Sequence, residues 1–507
     1  MIVVMIMKKI LLMGLLSVML SGCIIDIGGI IDIMTTSSSN DKTSQIISGN
    51  SKDKGLTGVE YFKYYSDVSG CKYFPSTGNN KMLVVPVMFK GESLSNSNKV
   101  LSDLDLVFNG NESDTGWESV SSFYKESSFN KLNIEADVLD YWITIDKTVK
   151  EVANLSYNDY DDPSIYVLEY VYKYLENKID LKAYDNNSDG FVDGVWLVYG
   201  NHSYSNYHLE SDNIENLLWA YTYWDTYTKP NVNKPTFNVY CWGSYDFMYE
   251  GVNATSGLKL DAHTLIHETG HMLGLDDYYD YDSTKNPTGC LDMMDYNIGD
   301  HNSYSKWMLG WVEPNVYDYN EGVIDIDSFS DTGEFIVIPS DDKVNYSPLS
   351  EYLLIELYTP TGLNKLDSRY SYLGSYPKMF TNVGVRIYHV DSRLGEFVYQ
   401  RNDWYYNDYI YNYSLNDLYS NTGNYNYFAI FNNNTPSYSY EEDNKLIRLV
   451  SAYYGNNYVF SDEQYAANKD LFKDGTSLEN FRFNNDKTLD VNIEFEIKNN
   501  SLRVYFE

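Results

Sequence analysis

The chain has 507 residues, which is enough for two or three domains that each bury a core of their own. It carries 72 acidic and 37 basic residues, giving a formal net charge of −35. A surface field of this sign repels phosphate backbones and anionic lipid headgroups, so the composition argues against nucleic acid as a partner.

Residues 1–23 have the pattern of an export signal. Lys8 and Lys9 precede an apolar run over residues 10–20, and the sequence Leu-Ser-Gly-Cys ends the segment at Cys23. This pattern resembles a bacterial lipoprotein signal peptide and predicts lipidation of Cys23. The alternative is an uncleaved membrane anchor, but the apolar run is short for a spanning helix.

Residues 24–56 are predicted to be a flexible tether, because the stretch 35–56 is polar and aperiodic. Acyl chains on Cys23 would hold the protein on a membrane stably. We therefore expect the protein at the extracellular face of the cell membrane, bound through its N-terminal lipid, rather than as a freely secreted form.

Apolar periodicity predicts a mixed α/β domain over residues 57–312. The pattern favours strands at residues 81–89, 131–138, 195–199 and 217–222, and helices at residues 117–126 and 163–177. Residues 217–222 are the candidate for an edge strand beside the helix predicted around His267, along which another extended backbone can pair.

A short acidic stretch resembles the front half of a calcium loop. Asp185, Asn187, Asp189 and Asp193 occupy its positions one, three, five and nine, and a glycine stands at position six for the sharp turn. Position twelve is Trp196 rather than the usual bidentate glutamate. The sequence therefore predicts a Ca²⁺ site, with an ordinary acidic, asparagine-rich turn as the alternative.

The segment around His267, Glu268 and His271 has the pattern H-E-x-x-H on an amphipathic helix, with Asp261 as the expected N-cap. Imidazoles one helical turn apart can bind a single Zn²⁺, and Glu268 can reach a water on that ion. His263 lies one turn earlier, but a threonine follows it, so the metal-binding pair is predicted to be His267 and His271.

After this helix the chain must turn back toward the metal. Gly274 can adopt the left-handed conformation that ends helices, and Asp277 follows as the predicted third ligand. The extended pattern H-E-x-x-H-x-x-G-x-x-D matches the metzincin zinc motif in its aspartate variant. The alternative for the five-residue core alone is a surface helix with a hydrogen-bonded histidine pair.

Residues 57–312 resemble immune inhibitor A-type metalloproteases in the order of their motifs, from the strand at 82–89 to the segment 304–311. The resemblance implies a secreted or surface endopeptidase with a zincin/metzincin-like catalytic domain, zinc and calcium. It implies His267, His271 and Asp277 as zinc ligands and Glu268 as the catalytic carboxylate.

The same resemblance implies that Met294 is the Met-turn residue beneath the metal, although Met293 is an equally available methionine. Tyr296 follows in a Met-x-Tyr pattern that resembles astacins and serralysins, whose tyrosine steadies the oxyanion. The alternative for Tyr296 is an ordinary packed aromatic residue.

From residue 313 to residue 507 the pattern changes to alternating strands. It predicts strands at residues 323–326, 334–338, 352–357 and 385–390, and a final hairpin with strands at 489–497 and 502–506 around Asn499 and Asn500. We expect a β-rich, sandwich-like C-terminal domain. Residues 404–440 are crowded with tyrosine and asparagine, and no site is assigned there.

With Cys23 lipidated, Cys71, Cys241 and Cys290 allow at most one internal disulfide. Cys71 precedes the catalytic segment and can be considered as a latency thiol on the zinc, but a structural or unpaired thiol is the favoured interpretation. His301 and His389 are isolated in the sequence and are expected to be structural.

Taken together, these patterns predict a zinc-dependent endopeptidase that hydrolyses peptide bonds of extracellular proteins, with water activated by zinc and Glu268. One alternative is a lipid-anchored surface binding protein or adhesin with a structural zinc site. A gluzincin aminopeptidase would also carry H-E-x-x-H, but it would not explain Gly274 and Asp277.

Overall fold

The computed structural model describes residues 54–155, 162–203, 212–280, 286–320, 322–341, 345–400, 403–409, 413–433, 445–454, 458–461 and 464–507. The predicted signal peptide, Cys23 and nearly all of the tether lie outside these residues. Within the described residues the chain is a mixed α/β protein with five sheets. None of the helices in this part of the chain combines the length and apolarity needed to cross a bilayer.

The strands are β1 Gly78–Met88, β2 Leu132–Val138, β3 Ile143–Thr144, β4 Phe191–Val192, β5 Val195–Tyr199, β6 Tyr221–Trp224, β7 Thr236–Phe237, β8 Val239–Ser244, β9 Asn315–Val316, β10 Gly322–Asp327, β11 Ile336–Pro339, β12 Glu351–Tyr358, β13 Gly384–Asp391, β14 Gly395–Gln400, β15 Asp403–Tyr409, β16 Asn426–Ala429, β17 Ile447–Val450, β18 Ser477–Leu478, β19 Ile493–Lys498 and β20 Ser501–Phe506.

The α-helices of the described residues are Gly58–Ser69, Ser97–Asn109, Glu112–Thr115, Val120–Ser127, Val149–Ala153, Pro163–Leu175, Asp212–Leu218, His263–Met272, Ser303–Met308, Phe329–Thr332, Lys365–Arg369 and Leu415–Asn421. The helix His263–Met272 carries the H-E-x-x-H sequence and is called the HExxH helix below.

The sheet that positions the HExxH helix has the strand order β2-β1-β5-β8-β6, with β3 beside β1. Strands β2, β1, β5 and β8 run parallel, whereas β6 is antiparallel to β8 and forms the edge. Strand β5 is buried along its whole length because both faces of the sheet are covered. Trp196 and Val198 face one core, and Val195, Leu197 and Tyr199 face the other.

The prediction of a strand over residues 217–222 is wrong in its first half. Residues up to Leu218 belong to the helix Asp212–Leu218, and β6 begins at Tyr221. Ile214, Leu217 and Leu218 are buried at helical spacing, so one helical face supplies the apolar contacts that the sequence pattern had suggested for a strand.

The helix Gly58–Ser69 was not predicted. It begins with a capping box, in which the Thr57 hydroxyl accepts from the backbone N–H of Glu60 and the Glu60 carboxylate accepts from the backbone N–H of Thr57. Gly70 ends it in the left-handed conformation, at φ +78°. The T-x-x-E pattern of Thr57 and Glu60 is the signal in the sequence that marks this start.

Two sheets of the C-terminal half share one core. The five-stranded sheet has the order β17-β13-β12-β11-β9, and the four-stranded sheet has the order β10-β20-β19-β18. Ile338 and Ile355 of the first sheet and Phe495 and Val504 of the second belong to the same apolar cluster. The region after residue 313 is therefore β-rich.

The final hairpin has the predicted turn, with Asn499 and Asn500 at φ +52° and +61°. Two consecutive residues in the left-handed region are typical of a two-residue hairpin turn. The first strand begins at Ile493 rather than at Leu489, because Leu489 instead pairs its backbone N–H with the carbonyl of Phe481.

The other face of the five-stranded sheet packs on the region of the HExxH helix. Leu354 and Tyr388 belong to the same apolar cluster as Met272 and Met294. The ring centroids of Trp307 and Tyr352 are 5.5 Å apart. Residues on both sides of position 312 therefore contribute to one core.

Candidate metal centre

The HExxH helix starts from a buried carboxylate. The helix is assigned from His263, so its N-cap is Ala262 rather than the predicted Asp261, although Ala262 has backbone angles in the helical region and its side chain makes no capping hydrogen bond. Asp261 nevertheless accepts a hydrogen bond of 3.0 Å from the backbone N–H of His263. Its second oxygen accepts from the N–H of Gly251 at 2.8 Å and from the Tyr372 hydroxyl at 3.1 Å, so this carboxylate fixes where the helix begins.

His267, His271 and Asp277 converge on one point. Nε2 of His267 lies 3.0 Å from Oδ1 of Asp277, and Nε2 of His271 lies 3.1 Å from the same oxygen. The Nδ1 atoms of the two rings face the carbonyl oxygens of Met293 and Leu275, at 2.8 and 2.7 Å. Because Nδ1–H donates to a carbonyl in each ring, both Nε2 atoms are presented to the same place.

Gly274 brings Asp277 back to the histidines. The helix ends at Met272, and Gly274 follows at φ +104°. The N–H of Leu275 then donates to the carbonyl of Gly270 at 3.0 Å, which closes the helix end. A Cβ atom at Gly274 would lie 2.7 Å from the Phe62 ring, so close packing also requires glycine here.

Glu268 lies beside the same point. Its carboxylate and the ring nitrogens of His267 and His271 lie within 4.8 Å of one another. Oε2 of Glu268 accepts a hydrogen bond of 3.0 Å from the Thr222 hydroxyl, and burial raises the pKa of this glutamate. A carboxylate with a raised pKa is suited to accept and return a proton.

Thr222 was not predicted as a site residue. It lies on β6, the edge strand, and its hydroxyl also lies 2.8 Å from the backbone carbonyl of Glu268. The only signal in the sequence was the position of Thr222 in the strand expected beside the active-site helix. One threonine thus joins the sheet edge to the carboxylate.

The three converging side chains form a charged cluster when no metal is bound. Burial alone lowers the pKa of His271, but the Asp277 carboxylate outweighs it and raises that pKa to about 10. Burial raises the pKa of Asp277, and the two histidine rings beside it, His271 first, reverse this and hold it far below its usual range. Two imidazole nitrogens and one carboxylate oxygen are the donor set that Zn²⁺ prefers, so these residues fit that ion.

Both methionines of the predicted Met-turn are buried, and they have different contacts. Sδ of Met294 lies 2.4 Å from the position that a Cβ atom of Gly270 would occupy, so Met294 packs against the HExxH helix between the two histidines. Met293 instead offers its carbonyl to His267. The absence of a side chain at Gly270 makes room for the Met294 thioether.

Tyr296 stands in a stack of aromatic rings near the cluster. Its ring centroid lies 4.4 Å from that of Tyr279, and Tyr279 lies 6.4 Å from His267. Burial, followed by the charges of Asp295 and Asp277 among its neighbours, raises the pKa of Tyr296. Its hydroxyl is therefore a proton donor at neutral pH.

The acidic loop brings three of its four predicted ligands together. Carboxylate oxygens of Asp185, Asp189 and Asp193 lie within 4.8 Å of one another, and burial raises the pKa of Asp193 to about 7. The Asn187 amide donates to Asp193 at 2.8 Å, and its oxygen accepts from the N–H of Asp189 at 2.9 Å. Gly190 adopts φ +91°, as the expected sharp turn requires.

Trp196, at position twelve of that loop, takes no part in it. The side chain is buried in the core, and its Nε1–H donates to the Thr269 hydroxyl of the HExxH helix at 3.1 Å. The position that holds a glutamate in an EF-hand therefore serves here to fix the helix.

Cys241 and Cys290 are buried free thiols, so no disulfide joins them. Cys71 is buried, and it does not belong to either metal-ligand group found among the described residues. His301 contacts Asp292 at 3.4 Å and His389 contacts Glu351 at 2.9 Å, both within the protein interior.

No protein-family model matches this chain, and no curated protein shows significant similarity to it.

Proposed function

We propose that the protein is a zinc-dependent endopeptidase that cleaves extracellular proteins, with an immune inhibitor A-type, zincin-like catalytic domain over residues 57–312. The observation that carries the proposal is the convergence of His267, His271 and Asp277, with Glu268 beside them. The proposal also includes a sandwich-like domain over residues 313–507, a lipid anchor at Cys23 and a location of the protein at the extracellular face of the membrane.

Zinc held by the two histidines and Asp277 would supply an acidified water and polarise the scissile carbonyl. Glu268 accepts the proton of the attacking water and returns it to the leaving amine. Thr222 holds one oxygen of Glu268 at 3.0 Å, which leaves the other oxygen for the proton transfer. Tyr296, as a neutral phenol, is the proposed hydrogen-bond donor to the developing oxyanion.

Substrate backbone is proposed to pair with β6. This strand ends the sheet order β2-β1-β5-β8-β6, so one of its edges is not paired by any strand among the described residues. Peptides commonly bind by adding a strand to such an edge. Because Thr222 on β6 bonds to Glu268, a paired substrate would lie directly beside the catalytic carboxylate.

A second metal, Ca²⁺, is proposed for the loop that contains Asp185, Asn187, Asp189 and Asp193. Hard carboxylate and amide oxygens are the ligands this ion prefers. The three aspartates lie close together, and the Lys72 ammonium, 4.0 Å from Asp189, offsets only part of their charge. A bound cation would remove their mutual repulsion.

The alternative of an adhesin with a structural zinc site requires a closed coordination shell. Glu268 is the residue that would close it, since its carboxylate lies within 4.8 Å of both ring nitrogens. The hydrogen bond from Thr222 engages one of the two carboxylate oxygens, so only the other oxygen of Glu268 could close the shell.

Casein zymography of the purified protein, with and without a chelator, tests the proposal. We expect clearing of the gel that the chelator abolishes and that zinc restores. The Glu268→Ala variant should show no clearing under any of these conditions. Cleavage that persists in the chelator, or full activity of Glu268→Ala, would refute the proposal.

A further inference from the structure

The stretch that carries the proposed zinc ligand Asp277 has no regular secondary structure of its own. Residues 275–280, called the ligand loop below, belong to no helix or strand. A buried backbone of this kind keeps a side chain in place only when its polar groups find partners elsewhere in the fold. After Asp277, those partners come from the Met-turn and from the chain beyond residue 312.

Both peptide groups of Tyr278, the residue after Asp277, are hydrogen-bonded. Its N–H donates to the carbonyl of Met294 at 2.8 Å, which joins the ligand loop to the Met-turn. Its carbonyl accepts from Nδ2 of Asn433 at 2.6 Å. The Tyr278 hydroxyl lies 2.6 Å from that of Ser305, so the side chain is held as well. The backbone next to Asp277 is therefore fixed from both sides.

Asn433 is itself held by a strand of the C-terminal half. Its Nδ2 also donates to the carbonyl of Ile447 at 2.9 Å, and its Oδ1 accepts from the N–H of Ile447 at 3.1 Å. Ile447 begins β17, which lies at one end of the five-stranded sheet. The Asn433 side chain is fully buried. Its amide therefore uses both N–H groups and its oxygen to join Tyr278 to β17.

A buried ion pair holds the end of the ligand loop. Nζ of Lys445 donates to Oδ2 of Asp280 at 2.6 Å and to the carbonyl of Asn433 at 3.1 Å. The side chains are 4% exposed for Lys445 and 1% exposed for Asp280. Removing one partner of a buried pair leaves an uncompensated charge and strongly destabilises the arrangement around it. Lys445 therefore fixes the ligand loop and Asn433 relative to each other.

The C-terminal half also holds the chain just ahead of the Met-turn. The N–H of Leu449, on β17, donates to the carbonyl of Pro287 at 2.9 Å, and the N–H of Ala466 donates to that of Gly289 at 2.9 Å. Gly289 has φ +71°, and a Cβ there would lie 2.6 Å from Cβ of Ala466. The C-terminal half thus contacts both the ligand loop and the approach to the Met-turn.

We propose that Asn433 and Lys445 are positioning residues for the zinc ligand Asp277, so that the C-terminal half of the chain completes the metal centre. The proposal rests on the zinc binding of the proposed function. Asn433 acts through the backbone of Tyr278, and Lys445 acts through Asp280. Removing a group that orients a metal ligand typically weakens metal binding by roughly ten- to a hundredfold.

Zinc affinity of the full-length protein, measured by competition with a chromogenic chelator, tests the role of Asn433. Asn433→Asp keeps the oxygen that accepts from Ile447 but removes the donor to Tyr278. We expect its Kd for zinc to rise by roughly ten- to a hundredfold. Asn80→Asp is the matched control, because Asn80 is also buried and donates to two backbone carbonyls that lie outside the ligand loop. Its Kd should equal that of the wild type.

Cobalt gives a readout that a general loss of stability does not change. The visible absorption spectrum of the Co²⁺-substituted protein depends on the geometry of the ligands around the ion. The spectrum should change in Asn433→Asp and should keep its wild-type shape in Asn80→Asp. Thermal melting identifies a temperature at which every variant is folded, and all affinities and spectra are compared there.

Variants of the ion pair test the proposal even if Asn433→Asp does not fold. Lys445→Gln leaves the Asp280 carboxylate buried without its ammonium partner, so zinc binding should weaken to a similar extent. The double variant Lys445→Gln/Asp280→Asn leaves neither charge of the pair. It should recover most of the zinc affinity that Lys445→Gln loses.

The outcomes separate the two proposals. If the wild-type protein binds neither Zn²⁺ nor Co²⁺, the proposed zinc endopeptidase function fails, and the positioning roles fail with it. If the wild type binds zinc and the folded Asn433→Asp and Lys445→Gln variants bind it equally well, the zinc centre stands and the positioning roles are refuted. Equal weakening in Asn80→Asp would also refute them, because the loss would then follow from destabilisation alone.

Discussion

Trp196 and Thr269 are joined by a hydrogen bond of 3.1 Å between the indole N–H and the hydroxyl. Thr269 in turn donates to the carbonyl of Leu265 one helical turn earlier, at 2.7 Å. Trp196 belongs to β5, which begins two residues after Asp193 of the acidic loop. The proposed calcium loop and the HExxH helix are therefore connected through one strand and one side-chain hydrogen bond.

Replacing Trp196 by phenylalanine should destabilise the protein and loosen the HExxH helix. The variant removes the donor and leaves the Thr269 hydroxyl with less support, at a cost of about 1–3 kcal/mol in the free energy of unfolding. Chemical denaturation measures this loss. Trp219→Phe is the control, because Trp219 is 38% exposed and its variant should unfold at nearly the wild-type denaturant concentration.

Calcium should stabilise the zinc-loaded protein through the acidic loop. A ligand that binds only the folded state at a hundredfold excess over its Kd adds about 2.7 kcal/mol to the free energy of unfolding. Thermal melting at increasing CaCl₂ concentration measures the effect. Asp193→Asn should lose most of it, and Asp490→Asn, at an exposed position, should keep it. An equal rise in Tm for all three proteins would show that the loop is not the site.

Gly274→Ala should lose both stability and zinc. The backbone at φ +104° is strained for alanine, at a cost of about 1–3 kcal/mol, and the new Cβ would meet the Phe62 ring at 2.7 Å. Relief of that contact would move Asp277 away from the histidines. Zinc content after gel filtration is the measurement.

Gly257→Ala is the matched control for this variant. Gly257 has φ +98°, but a Cβ there would have no neighbour within 4 Å. It should show a comparable loss of stability with a full complement of zinc. Equal zinc content in Gly274→Ala and Gly257→Ala would contradict the role given to Gly274.

Zinc affinity should rise with pH. In the metal-free protein the pKa of His271 is raised to about 10, so its ring is protonated at neutral pH and must release that proton when zinc binds. One displaced proton gives an increase of about tenfold in apparent affinity per pH unit, which competition with a chromogenic chelator between pH 6 and 8 can measure. An apparent zinc affinity that does not change between pH 6 and 8 would contradict the charged cluster of His267, His271 and Asp277.

The raised pKa of His271 also predicts that the metal-free protein becomes less stable as the pH rises. Because the folded-state pKa of His271 lies above the unfolded value of 6.5, its contribution is fully present below about pH 6.5 and is lost as the pH rises toward 10. The metal-free protein should therefore unfold at lower denaturant concentration at pH 9 than at pH 6.5. The zinc-loaded protein should not follow this trend, since zinc replaces the proton.

Local patterns in the sequence predicted much of the site's geometry. The spacing of His267, His271, Gly274 and Asp277 lies within one helix and the turn after it, and such short-range geometry follows from residue types alone. The strand at residues 195–199 was predicted with the bounds that the structure shows, because a continuous apolar run is typical of a strand buried on both faces.

Contacts between distant parts of the chain were not predictable in this way. Thr222 approaches Glu268 only because β6 pairs with β8, and Tyr372 and Tyr376 approach the HExxH helix from beyond residue 312. The spacing of apolar residues in the sequence does not indicate which distant segments pair. The strand expected at residues 217–222 was wrong for a related reason, since a short apolar run fits a helix or a strand until its packing partners are known.

The most direct test of the central claim is zinc stoichiometry and peptidase activity measured together on Glu268→Gln. The account predicts that this variant keeps one zinc per chain and loses nearly all peptide cleavage, because His267, His271 and Asp277 hold the metal and Glu268 only moves the proton. Loss of the zinc together with the activity would contradict it, since Glu268 would then be a ligand of a closed site.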